Sequence, residues 1–222
     1  FWSQRLYLEP GSETYVYCGE NKFRINGGVA ETTPQIYVPA SNGGSALLKS
    51  INVGYFNVGA NTKPGFGIYV GEGSTLNLEC DINNTNGNTE IGKFGPGIVN
   101  HTGQTPADGY ITVNAGMWTV ANSKQVNKVV VKDDAFVGLP VTSAIKTLEV
   151  QAGGSLAFPV GHAESTAYTL CTTALTATTG TEDVYVGSKL YKGATLSYDT
   201  SAKTVQYTLP AAGTTCALTE DE

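Results

Sequence analysis

The 222 residues carry 13 basic and 19 acidic side chains, a net charge of −6, and only 14% of positions are charged while 27 are glycine. No cluster of Lys and Arg occurs, which argues against a nucleic-acid or anionic-membrane surface, and no run approaches the ~18 apolar residues of a membrane-spanning helix. Low charge with abundant Gly, Thr and Asn fits an exported β-rich protein better than a cytosolic enzyme.

The first residue is Phe1 and no basic-then-apolar leader follows it. The chain is therefore expected to be a mature product, or a fragment, whose targeting signal has gone. Residues 1–45 read as an N-terminal β cap: "TYVYCGENKFRINGG" has the look of a hairpin closing at "GEN", followed by a loop around "PASNGG".

From residue 46 onward a small-residue turn recurs before alternating apolar residues: "GSTLNL" from Gly73, "GGSLAF" from Gly153, "GATLSY" from Gly193. Aligning each turn on its first large apolar residue gives a ladder of Phe56, Leu76, Ile98, Trp118, Phe136, Leu156, Leu175 and Leu196. Successive separations are 20, 22, 20, 18, 20, 19 and 21. A second ladder, at "INV" 51, "IYV" 68, "ITV" 111, "VVV" 129, "LEV" 148 and "VYV" 184, precedes the first.

A period near twenty with two short strands per repeat predicts successive turns of chain stacked as parallel strands. In "TLEVQAGGSLAFPV", Leu148, Val150, Leu156 and Phe158 point inward and polar residues outward, with Gly and Asn supplying the corners. The expected fold is all-β: a single-stranded parallel β-helix, or solenoid, of roughly eight coils over residues 46–200, with capping β-hairpins at both ends. The alternative is a β-sandwich, whose hairpins also produce closely spaced turns. Leu76, Trp118, Phe136, Leu156 and Leu196 are expected inside. The stretch "GHAESTAYTLCTTALTA" fits strand better than helix because of its Thr content. Residues 201–222 complete a C-terminal cap strand and tail, the strand pairing across "YDTSAK".

Cys18, Cys80, Cys171 and Cys216 lack zinc-ligand spacing. They read as two disulfides formed in an oxidising compartment, with four inert buried thiols as the alternative. Cys80 and Cys171 would lie between four and five coils apart, roughly 20 Å at ~4.8 Å per strand, too far for a bond. The crossed pairing, Cys18 with Cys171 and Cys80 with Cys216, would demand still longer spans, which leaves Cys18 with Cys80 and Cys171 with Cys216, each stapling one end.

Catalytic patterns are thin. Asp133 and Asp134 are an adjacent acidic pair on the ladder and His162 follows them, but a polar turn accounts for both carboxylates better than a glycosidase pair does. His101 sits in a polar stretch without a GxSxG partner, Arg5 and Arg24 both fall in the presumed cap, and no calcium-binding GGxGxD nonapeptide occurs. The sequence is read as non-enzymatic, without metal or cofactor. Two sequons, Asn83-Asn84-Thr85 and Asn100-His101-Thr102, are as frequent as this composition produces by chance. Among the 12 tyrosines, Tyr55, Tyr69, Tyr110 and Tyr185 neighbour inward positions and are candidates for surface contact with glycans or proteins, cross-strand pairing being the alternative.

The strings "ITVNAGMWTV" and "TLEVQAGGSLAF" resemble rungs of right-handed parallel β-helix surface proteins, such as bacterial autotransporter passengers and related adhesins, over about residues 46–200. The expected function is a secreted or cell-surface structural, adhesive or assembly protein, or a filament subunit, that associates with itself or with surface glycans and proteins. A polysaccharide-binding or polysaccharide-cleaving β-helix protein is the alternative.

Overall fold

The computed structural model describes residues 2–3, 5–17, 23–25, 31, 34–51, 55–58, 65–84, 90–103, 109–120, 126–139 and 145–210. Every regular element among them is a strand, so the protein is all-β. Among the described residues no helix is long and apolar enough to cross a membrane.

Three sheets share the strands. The eight-stranded sheet runs through Leu6–Tyr7, Ile36–Val38, Gly65–Val70, Glu90–Phe94, Tyr110–Val113, Val126–Val131, Ile145–Val150 and Ala174–Thr176. The eleven-stranded sheet begins at Glu13–Tyr17 and continues through Ser45–Ile51, Thr75–Glu79, Ile98–His101, Gly116–Val120, Ala135–Gly138, Ser155–Phe158 and Gly180–Val186. It ends in Lys189–Asp199, Thr204–Thr208 and Tyr168–Thr169. A four-stranded sheet joins Trp2–Ser3, Phe23–Ile25, Tyr55–Val58 and Asp81–Asn84. Among the described residues all three sheets are open at both edges.

Outside the antiparallel group at residues 180–208, strands adjacent in a sheet are not adjacent in sequence. The chain lays a strand in the eight-stranded sheet, turns, and lays the next in the eleven-stranded sheet, and this order recurs from residue 65 to residue 158, with Asp81–Asn84 of the four-stranded sheet added to the first of these passes. Sheet neighbours in this part are therefore parallel, as in the pairs of Thr75–Glu79 with Ile98–His101 and of Glu90–Phe94 with Tyr110–Val113. Long parallel sheets are what the twenty-residue repeat implies, and they are not what hairpin-linked sandwich strands would build.

The inward faces stack in register. One column in the eleven-stranded sheet is Ala46, Leu76, Val99, Trp118, Val137 and Leu156, all wholly buried. Another, in the eight-stranded sheet, is Phe66, Ile91, Ile111, Val129, Leu148 and Leu175. Leu76, Trp118 and Leu156 occupy the expected column.

Ile98 and Phe136 do not. Each is half-buried on the outer face, and the next residue, Val99 or Val137, points inward. "GPGIV" and "DDAFV" both offer two consecutive apolar residues, and with a side-chain period of two a one-residue shift exchanges the faces. Before Phe136, the turn at Asp133–Asp134, with Asp134 at φ 55° and the Ala135 amide bonded to the Lys132 carbonyl, fixes which of the two enters.

Three further ladder members belong elsewhere. The backbone of Phe56 runs in the four-stranded sheet beside Phe23 and Ile82, Leu175 pairs with Leu148, and Leu196 is buried in an antiparallel strand facing Gly180 and Tyr207.

The two ends differ. The expected N-terminal hairpin does not form: Glu13–Tyr17 pairs in parallel with Ser45–Ile51, whereas Phe23–Ile25 pairs in parallel with Trp2–Ser3 and Tyr55–Val58 in another sheet. At the other end Lys189–Asp199 and Thr204–Thr208 form the expected antiparallel pair. Asp199 Oδ1 organises their turn by accepting from the amides of Ser201 (2.9 Å) and Ala202 (2.8 Å). Gly180–Val186 joins the same antiparallel group through a tight turn at Gly187.

Glycine is required where one turn stacks on the last. A Cβ at Gly73, whose φ is +67°, would strike the Ser41 carbonyl oxygen, and one at Gly97 would strike that of Gly71.

The observed register makes a direct comparison possible. Val137→Asp places an unpaired charge in the buried column at a cost of several kcal/mol and is expected to abolish cooperative unfolding at 25 °C. Phe136→Asp, one residue earlier on the outer face, is expected to stay folded with Tm lowered by a few degrees. Circular dichroism melts of the two variants check this.

Candidate functional site

A groove of about 420 Å³ runs across the strands on the outer face of the eleven-stranded sheet. Its floor is the outward row Thr75, Ile98, Met117 and Phe136, one residue per strand in register. One side is the bare backbone of Gly43, Gly73, Gly97 and Gly116, and Tyr185 stands at one end with its ring edge-on to Phe136 at 5.0 Å and 80°. Among the described residues no charged side chain lines it. Two residues further along the same strands lies a polar row of Asn77, Asn100 and Thr119, in which Asn100 Nδ2 donates to Asn77 Oδ1 at 3.1 Å.

Tyr69, Tyr110 and Tyr185 do not converge. Tyr69 stacks on Tyr37 (5.1 Å, 8°), and Tyr37 stacks on Tyr7 (5.4 Å, 18°). Ring faces in this row are used against each other, which favours cross-strand pairing over a ligand platform. Tyr110 donates its hydroxyl to Glu90 Oε2 at 3.2 Å, and burial, reinforced by that carboxylate, raises its pKa. The side chain of Tyr55 lies outside the described residues. Of the three described, Tyr185 borders the groove.

The residues checked for catalysis occupy separate places. Asp133 and Asp134 are exposed in their turn, where Asp133 lies against Gly153 and the Asp134 amide bonds to the Gly153 carbonyl. His162 is held among the rings of Phe158 (5.4 Å), Tyr168 (4.8 Å) and Tyr207 (5.6 Å), and burial lowers its pKa. Arg5 donates from Nε to the Pro34 carbonyl at 3.0 Å. The side chains of Arg24, Asn83 and Asn84 lie outside the described residues, as does Thr85. Among the described residues no three His, Cys, Asp or Glu side chains gather as metal ligands.

Cys18 and Cys216 lie outside the described residues. Cys80 and Cys171 are both buried, and the Cys171 thiol donates to the Ala174 carbonyl at 3.1 Å. Burial raises its pKa. Cys80 follows Gly65–Val70 and Thr75–Glu79 in one pass, and Cys171 comes just before Ala174–Thr176, five steps from Gly65–Val70 along the eight-stranded sheet. At ~4.8 Å per step these two cysteines are roughly 24 Å apart along the stack, beyond disulfide reach.

Two buried bases were not anticipated. Lys93 lies wholly within the column Ile36, Ile68, Lys93, Val113, Val131 and Val150, and its Nζ donates to the carbonyls of Gly95 (2.5 Å) and Ala115 (2.9 Å). Burial without a carboxylate partner lowers its pKa to about 7. His101 is 1% exposed, edge-on to Trp118 at 5.4 Å, with Nε2 at 3.1 Å from the Cys80 carbonyl. That geometry makes Nε2 the protonated nitrogen, and burial lowers the pKa to about 4 against the opposing pull of the carbonyl and Asp81. Alternation does carry the signal for both: Lys93 shares the parity of Ile91, and His101 that of Val99.

No family model, curated protein or solved structure matches the chain.

His101 supplies a signed pH dependence. Its folded pKa lies below the ordinary 6.5, so between pH 6.5 and 4 the unfolded chain binds the extra proton. Its contribution is fully present above pH 6.5 and falls by up to ~1.4 kcal/mol per unit on acidification, about 3 kcal/mol in all. Urea titrations across this range are expected to give a shallower pH slope for His101→Leu than for the parent. Lys93 acts in its own window: the parent gains stability from pH 7 towards 10, and Lys93→Met is expected to lose that rise.

Proposed function

We propose that each pass through the sheets is one coil of a parallel β-solenoid, and that the protein is an exported, non-catalytic structural, adhesive or assembly component of a cell surface or matrix. The observation that carries the reading is the unbroken in-register stacking of both inward columns over six successive strands. Such a stack makes a stiff body whose outer rows are repeated at fixed spacing, as a display or assembly scaffold requires.

The groups best suited to acid–base chemistry support the same conclusion by their placement. His101 is enclosed by the core, His162 by aromatic rings, and Asp133 and Asp134 lie in a surface turn. A glycosidase needs two carboxyls flanking one bond, and this pair sits on consecutive positions of one turn. The low charge and the likeness of "ITVNAGMWTV" to rungs of surface β-helices point to a secreted or cell-surface location. The groove on the outer face favours glycans among the contacts considered.

Incubation with acidic and neutral polysaccharides is expected to release no new reducing ends or unsaturated products. Turnover that disappears in Asp133→Asn or Asp134→Asn would contradict the proposal. In an oxidising compartment, peptide maps made without reduction should link Cys18 to Cys80 and Cys171 to Cys216, each bond contributing about 3–4 kcal/mol. Recovery of a Cys80–Cys171 peptide would contradict the stacking itself.

A further inference from the structure

We infer that the groove beside Phe136 and Tyr185 binds a linear, uncharged glycan chain laid across the strands, an inference that rests on the reading of this face as a contact surface. The parallel register sets two rows side by side. Ile98, Met117 and Phe136 form an apolar row on three consecutive strands, and Asn77, Asn100 and Thr119 form a row of amides and a hydroxyl two residues away. Both rows advance by one strand spacing, ~4.8 Å, per step.

A sugar ring has an apolar C–H face and a rim of hydroxyls that both donate and accept. The apolar row offers the surface for the face, and carboxamides offer a donor and an acceptor each for the rim. Asn100 and Asn77 spend one such bond on each other, leaving Asn100 its oxygen and second amide proton and Asn77 its amide NH2.

Other occupants fit less well. A charged polymer would find no counter-charge among the described residues of the lining, and Lys49 and Glu79, on a neighbouring row, already pair with each other at 2.8 Å. An extended peptide crossing the strands would set its amides over Ile98, Met117 and Phe136, which can bond none of them. An aliphatic chain would make no use of the polar row. The slot is also permanent: Gly73, Gly97 and Gly116 cannot gain a side chain without striking the turn before, so the wall stays low along the groove.

Titration calorimetry with neutral gluco-, manno-, xylo- and chito-oligosaccharides, with polygalacturonate and dodecanol as comparators, tests this. Saturable binding of at least one neutral series, increasing with chain length, is the expected result. Phe136→Ala and Tyr185→Ala should each weaken it about tenfold, and the Asn77→Ala/Asn100→Ala double variant, which leaves the apolar floor and the core untouched, should weaken it severalfold. The inference is overturned if no neutral series binds, if polygalacturonate or dodecanol binds more tightly, or if the double variant and Tyr185→Ala both bind like the parent. Reducing ends are assayed in the same samples. Binding with cleavage would sink the non-catalytic function and leave the site standing; neither binding nor cleavage would do the reverse.

Discussion

Parallel pairing gives every residue a fixed partner on the strand before and another on the strand after, so each inward side chain must fit directly on its predecessor. The rest of the structure follows from that constraint. Trp118, the bulkiest member of its column, sits between Val99 and Val137, β-branched residues that leave room for the indole on either side. Turns obey the same rule as strands. Gly73 lies over the Ser41 carbonyl, Gly97 over that of Gly71 and Gly116 over that of Gly97, so a side chain at these corners would separate the layers.

The constraint also explains how polar groups persist inside. Lys93 and His101 belong to a single pass of the chain, one in each large sheet, and both spend their protons on backbone carbonyls beside glycine-rich turns or a chain bend. Apolar neighbours above and below, Ile68 and Val113 for Lys93 and Leu78 and Val120 for His101, exclude water and depress both pKa values. On the outside the same register turns single residues into rows. A half-buried apolar residue that would be unremarkable alone becomes part of a linear floor, and the amides beside it become a ladder.

Much of this architecture was legible in the repeat. The spacing near twenty and the alternation in "TLEVQAGGSLAF" were enough for parallel strands, because glycine corners and period-two apolar residues have few other uses in combination. The one-residue errors at Ile98 and Phe136 came from apolar doublets, where hydrophobicity does not say which residue faces in. Turn geometry decides that, and Asp134 at φ 55° has no signature strong enough to read in advance. The N-terminal segment misled for a different reason: "TYVY" and "KFRI" are close in sequence and look like hairpin arms, yet each finds its partner more than twenty residues away. As for the groove, Tyr185 was visible as an outward aromatic. Its companions Met117 and Phe136 were not, since the latter had been assigned to the interior.

The central claim is the in-register stacking of passes, and Trp118 reports on it most directly. Nuclear Overhauser contacts from the Trp118 ring, measured on methyl-labelled protein, should reach the methyl groups of both Val99 and Val137 and the ring of His101, whose centroid is 5.4 Å away. Contacts to Ile98 and Phe136 in their place, or contacts to neither neighbouring strand, would contradict the account.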